Sequence, residues 1–217
     1  MLIDCDAHLA TLDCLDLVKD KTLKKRYLDS YTLKNNIKTV DQHRKEAEFL
    51  GITHQVINFF GNSTGMNYHL NKEDAADLMQ VYNNFASTLV KESNGFFSAT
   101  AWLAMQDIDA SLAEIDRIKE LGLFAIYLDD TIPWGRAEWA MPIFKKCNDL
   151  KIPIYFHFTK TDHYLNNQLS PVSYDNLVET VGVSKWPTQC KTSEIDPFLC
   201  MFYSLFESGI LNKFENL

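Results

Sequence analysis

Five short runs of mostly β-branched and aromatic residues punctuate this chain, at 2–5, 54–60, 96–103, 123–128 and 152–158, with helix-like stretches between them. This alternation constrains the fold more than any other feature. Within the runs, apolar residues are nearly continuous instead of alternating with polar ones. That is the pattern of strands buried on both faces, as in parallel sheets covered by helices. The intervening segments supply the helices. Residues 73–92 place Ala76, Met79, Tyr82, Ala86 and Leu89 at helical spacing behind Asn71 as N-cap. Residues 107–121 form a second pattern closed by Gly122. Residues 39–50 and 137–150 read as helices as well, the latter with Pro142 near a first turn or a kink. Asp196 and Pro197 open a last helix expected to run to about residue 214. Strands alternating with helices of this length make βαβ units and a parallel sheet.

Two long stretches, 9–38 and 159–195, read as irregular, and each follows a strand. Long excursions at that position are expected to be lids or small caps over a site.

Charge narrows the function classes. A formal net charge of -8 argues against a nucleic-acid partner, and the basic cluster 21–26 reads as a solvated helix face. No apolar run is long enough to span a bilayer, and the first residues lack the features of a signal peptide, so a cytoplasmic location is expected. The odd count of five cysteines fits reduced thiols better than a disulfide framework. No phosphate loop follows the first strand, which disfavours a flavodoxin-like nucleotide-binding domain.

The residues most able to carry chemistry are Asp6-Ala7-His8, at the end of the first run, and His157, near the end of the fifth. Residues two apart on a strand point the same way, so Asp6 and His8 can share a face. A carboxylate oxygen and an imidazole nitrogen side by side are good ligands for a divalent metal. Taken alone, an Asp-x-His triplet is common by chance, and a lone histidine on an apolar strand is often a core residue. The two features reinforce each other if both strands end at one barrel mouth.

The opening Ile3-Asp4-Cys5-Asp6-Ala7-His8 resembles that of the amidohydrolase-related family containing aminocarboxymuconate-semialdehyde decarboxylase and the resorcylate-type decarboxylases. The stretches from Asn94 to Asp107, from Leu121 to Ile126, from Ile152 to His157 and from Ser208 to Leu217 resemble later parts of the same family in the same order. The resemblance implies a TIM-type (β/α) barrel, present through its fifth strand and following helix. Residues 1–217 would then form one partial barrel domain, with lid or cap insertions at about 9–38 and 159–195. It implies Asp6, His8 and His157 as metal ligands, with Asp6 replacing the histidine more often found there. Zinc suits this His-rich set, and manganese suits its acidic member. The family's catalytic histidine on strand six and metal-binding aspartate on strand eight have no counterpart here. Catalytic groups are therefore expected beyond Leu217, and little turnover is expected of the isolated chain. Phe59, Asn62, Trp102 and Phe158 lie at strand ends, where they can line a substrate pocket. The implied activity is metal-dependent decarboxylation or hydrolysis of a small aromatic or unsaturated carboxylic acid. The alternative is an inactive remnant that works through association, as a homo-oligomer or otherwise.

Overall fold

The computed structural model describes residues 1–9, 11–29, 38–60, 70–128, 137–157, 206 and 209–216. The chain divides into two compact units, Met1–Tyr127 and Leu128–Leu217.

The first unit is built on β1 (Ile3–His8), β2 (His54–Asn58), β3 (Phe97–Trp102) and most of β4 (Ala125–Leu128). β1 pairs with β2, β2 with β3 and β3 with β4, every pair parallel. Parallel neighbours require a crossover, and helices provide it. These are α3 (Val40–Phe49) before β2, α4 (Lys72–Glu92) before β3 and α5 (Ile108–Leu121) before β4. Each starts on a side-chain cap. Thr39 forms a capping box with Gln42, Asn71 accepts the Asp74 N–H, and Asp107 accepts the Ala110 N–H. Gly122 closes α5 at φ 74°, a left-handed position that favours glycine.

The expected irregular stretch 9–38 contains two helices, α1 (Leu12–Leu15) and α2 (Lys21–Asp29), and is corrected accordingly. Thr11 initiates α1 by accepting the Cys14 N–H, while Cys14 and Leu15 are buried.

The core of this unit lies between β3 and α4. The rings of Phe59 and Trp102 stack at 4.1 Å, and Tyr82 meets Phe59 edge-on at 5.1 Å. Asn83 pins α4 to the end of β3. Its Oδ1 accepts the Trp102 N–H, and its Nδ2 donates to the Trp102 carbonyl and to Glu114 Oε1. A buried amide and a buried carboxylate persist here because each is partnered, Glu114 also by Arg117.

The second unit contains α6 (Ala137–Leu150), β5 (Ile154–Phe156) and α7 (Ile210–Lys213). The sheet order is β1-β2-β3-β4-β5. Pro142 lies inside α6, past the first turn, where it removes one helical N–H. Lys151 follows α6 at φ 54° and turns the chain toward β5. The Phe144 and Phe156 rings meet at 6.3 Å, and the Asn216 N–H donates to Asn148 Oδ1. The expected helix start at Asp196 and Pro197 lies outside the described residues, and the described helix near residue 214, α7, begins after Gly209 (φ 68°). Residues 159–195 lie outside the described residues.

Cys5, Cys14 and Cys147 are free thiols. Burial pushes the Cys14 and Cys147 thiols up to about 12, with the charge of Asp13 adding to the effect at Cys14, so neither presents a thiolate near neutrality. Among the described residues, no helix is long and apolar enough to cross a membrane.

Candidate metal centre at the end of the first strand

Between Asp4 and Ala7, β1 has one residue more than the facing segment of β2, where their partners are Gln55 and Ile57. The ladder is bulged there. Bulges re-aim side chains and are common beside active sites. Asp6 lies within this one and His8 just past it, with Asp6 Oδ1 3.4 Å from His8 Nε2. Their side chains keep 44% and 25% of their exposure, enough to meet a ligand from solvent.

The opposite edge of the His8 ring is fixed by the backbone. Nδ1 lies 2.8 Å from the Phe59 carbonyl oxygen. A carbonyl only accepts, so Nδ1 carries the proton. In the neutral ring Nε2 then presents a lone pair, and that lone pair faces a carboxylate oxygen. Two electron-rich atoms so close call for a cation or a proton between them. A histidine that donates its far N–H to a carbonyl is the usual arrangement of a metal-ligating imidazole. Tyr127 meets the ring edge-on at 6.3 Å and limits its rotation.

Asp6 is braced from two directions. Asn58 Nδ2 donates to its Oδ1 at 2.8 Å, and its own N–H donates to Asp4 Oδ1 at 3.1 Å. Thr100 Oγ1 donates in turn to Asn58 Oδ1 at 2.8 Å, and both Asn58 and Thr100 are wholly buried. A second buried amide, Gln55, repeats the pattern one turn of the ladder lower. It donates to Asp4 Oδ2 at 2.9 Å and accepts from His43 Nε2 at 3.1 Å. Burial holds His43 below its ordinary imidazole value, and the Gln55 hydrogen bond partly offsets that shift.

His157, the third expected ligand, belongs to the second unit. It follows β5 directly, is half-buried, and donates its backbone N–H to the Leu128 carbonyl at 3.0 Å.

The expected pocket residues are placed differently. Phe59 and Trp102 have no exposure and stack on one another in the core. It is the Phe59 carbonyl, not its ring, that reaches the site. Asn62 and Phe158 lie outside the described residues. His54 Nδ1 donates to the Gly95 carbonyl and its Nε2 meets the Ser98 hydroxyl, at the beginning of β2 and away from Asp6. Sequence reasoning missed Asn58 and Thr100. The available signal was a polar residue ending an otherwise apolar run, Val56-Ile57-Asn58, directly opposite the Asp6-His8 end of β1.

No family model and no curated protein matches this chain. Solved structures do match it, each over 100% of this chain. A protein of Staphylococcus aureus provisionally described as an amidohydrolase matches at a TM-score of 0.63 and 16% identity, over 65% of its own length. The 5-carboxyvanillate decarboxylase of Sphingomonas paucimobilis matches at 0.66 and 15%, also over 65%. The 5-carboxyvanillate decarboxylase of Novosphingobium aromaticivorans, solved with manganese and a nitrobenzoic acid, matches at 0.67 and 20%, over 64%. The expected fold is thereby borne out. It is a TIM-type (β/α) barrel through five strands, and the chain spans about 65% of the length of the structures it matches.

Proposed function

We propose that this chain carries the front part of a divalent-metal site, held by Asp6, His8 and His157, in an enzyme acting on a small aromatic or unsaturated carboxylic acid. The observation that carries the reading is the Asp6–His8 pair, with His8 Nε2 3.4 Å from Asp6 Oδ1 and the far ring nitrogen fixed on the Phe59 carbonyl. His157 would add a second half-buried imidazole, a ligand type that suits the same cation. It ends β5 as His8 ends β1, and in a (β/α) barrel the strand ends face one pocket.

When bound, a divalent cation supplies fixed positive charge and Lewis acidity toward a substrate oxygen. The chain's own residues prepare for it. Asn58 and Asp4 hold the Asp6 side chain and backbone, the Phe59 carbonyl sets the tautomer of His8, and Tyr127 restrains its ring. Zinc suits the two imidazoles and manganese suits the carboxylate. Manganese gains support from the Novosphingobium decarboxylase, which binds it. Decarboxylation is favoured over hydrolysis because aromatic-acid decarboxylases recur among the matched structures.

The test uses the full chain loaded with manganese and a panel of hydroxybenzoates and methoxylated benzoates. Paramagnetic broadening of ligand proton resonances reports binding beside the metal, and carbon dioxide release reports turnover. Broadening that disappears when zinc replaces manganese, and that is absent in His8→Ala, is expected. No metal-dependent binding of any aromatic carboxylate would contradict the substrate class.

A further inference from the structure

We infer that Asn58 and Thr100 form a buried brace that fixes the direction in which Asp6 offers its carboxylate to a cation. This inference rests on the metal-site reading above.

The brace spans three adjacent strands, Asp6 on β1, Asn58 on β2 and Thr100 on β3. A carboxylate only accepts, so the Asn58 amide must turn its nitrogen toward Asp6. Its oxygen then faces Thr100, whose hydroxyl donates to it. Each of the three groups thus fixes the next. With one lone pair of Oδ1 taken by Asn58, Asp6 cannot rotate its carboxylate without leaving a wholly buried amide unsatisfied. The other side of the same oxygen is therefore kept toward His8 Nε2, 3.4 Å away. Removing partners that orient a metal ligand typically weakens metal binding 10- to 100-fold.

The same two strands supply an internal control. Gln55 donates to Asp4 with the same amide-to-carboxylate pairing, and Asp4, outside the proposed ligand set, reaches Asp6 only through the Asp6 backbone N–H. A purely structural role predicts that the two amides behave alike. A positioning role predicts the larger loss of metal affinity for Asn58.

The experiment is calorimetric titration of the full chain with manganese(II), paired with thermal melting of the metal-free protein. Asn58→Leu is expected to bind manganese about 10- to 100-fold more weakly than the unmodified protein. Thr100→Val is expected to show a smaller loss, and Thr100→Ser, which keeps the hydroxyl, to recover it. Gln55→Met, which frees Asp4 and touches only the Asp6 backbone, is expected to lower the melting temperature and to weaken manganese binding less than Asn58→Leu does. If Asn58→Leu does not fold, the Thr100→Val and Thr100→Ser pair decides. Manganese affinity unchanged in both Asn58→Leu and Thr100→Val would overturn the brace while leaving the metal site intact. Absence of binding by the unmodified protein would instead overturn the metal site itself.

Discussion

The ends of β1 and β5 each present an imidazole, and the chain supports the two in different ways. His8 closes a six-residue strand, with Nδ1 held by the Phe59 carbonyl and its neighbour-but-one Asp6 braced by buried groups on β2 and β3. His157 follows a three-residue strand whose side chains are all half-buried, and its backbone is tied to Leu128. Buried polar partners hold a group in one geometry, because any other leaves a donor or acceptor unsatisfied. A short, half-buried strand opens locally at lower free energy. The first end is therefore a preorganised platform, and the second rests on a shorter strand.

The largest expected effect lies behind the platform. Trp102→Ala removes a wholly buried ring stacked on Phe59, whose carbonyl anchors His8. It is expected to cost about 3–5 kcal/mol in denaturant unfolding. Phe156→Ala is the matched truncation on β5. Because that ring is half-buried, about 1–2 kcal/mol is expected. Equal losses in the two variants would erase the contrast between the strand ends.

The smallest effect is a pH dependence. His43 sits below its ordinary value, chiefly through burial, with Lys38 lowering it further and Gln55, Glu46 and Asp4 acting in the opposite sense. A depressed base is protonated more readily in the unfolded chain. Its contribution to stability is therefore complete above about pH 6.5 and is lost as pH falls from there through the folded value. Melting temperature is expected to decline over that window, and His43→Gln is expected to flatten the decline. An identical decline in His43→Gln would place its origin elsewhere.

Much of the fold was legible because periodicity and caps are local signals. The helices at Val40–Phe49, Lys72–Glu92 and Ile108–Leu121 fall within a residue or so of their expected spans, each at a polar cap. β1 extends beyond its expected end, because Asp6 and His8 break the apolar run yet belong to the strand, where His8 faces Asn58. α1 was missed since one turn carries little periodicity and only Thr11 ahead of Leu12 hinted at a start, while α2 was read only as the solvated helix face at 21–26. The ligand candidates could be named from residue type and strand position. Their brace could not, because Asn58 and Thr100 lie 52 and 94 positions from Asp6 and acquire meaning only through strand pairing.

Equilibrium titration of the full chain with manganese(II) and zinc(II), repeated on His8→Ala and His157→Ala, bears most directly on whether one cation unites the two strand ends. One ion bound per chain, with affinity falling at least about tenfold in each variant, is the expected result. No stoichiometric binding, or binding that either variant leaves unchanged, would contradict it.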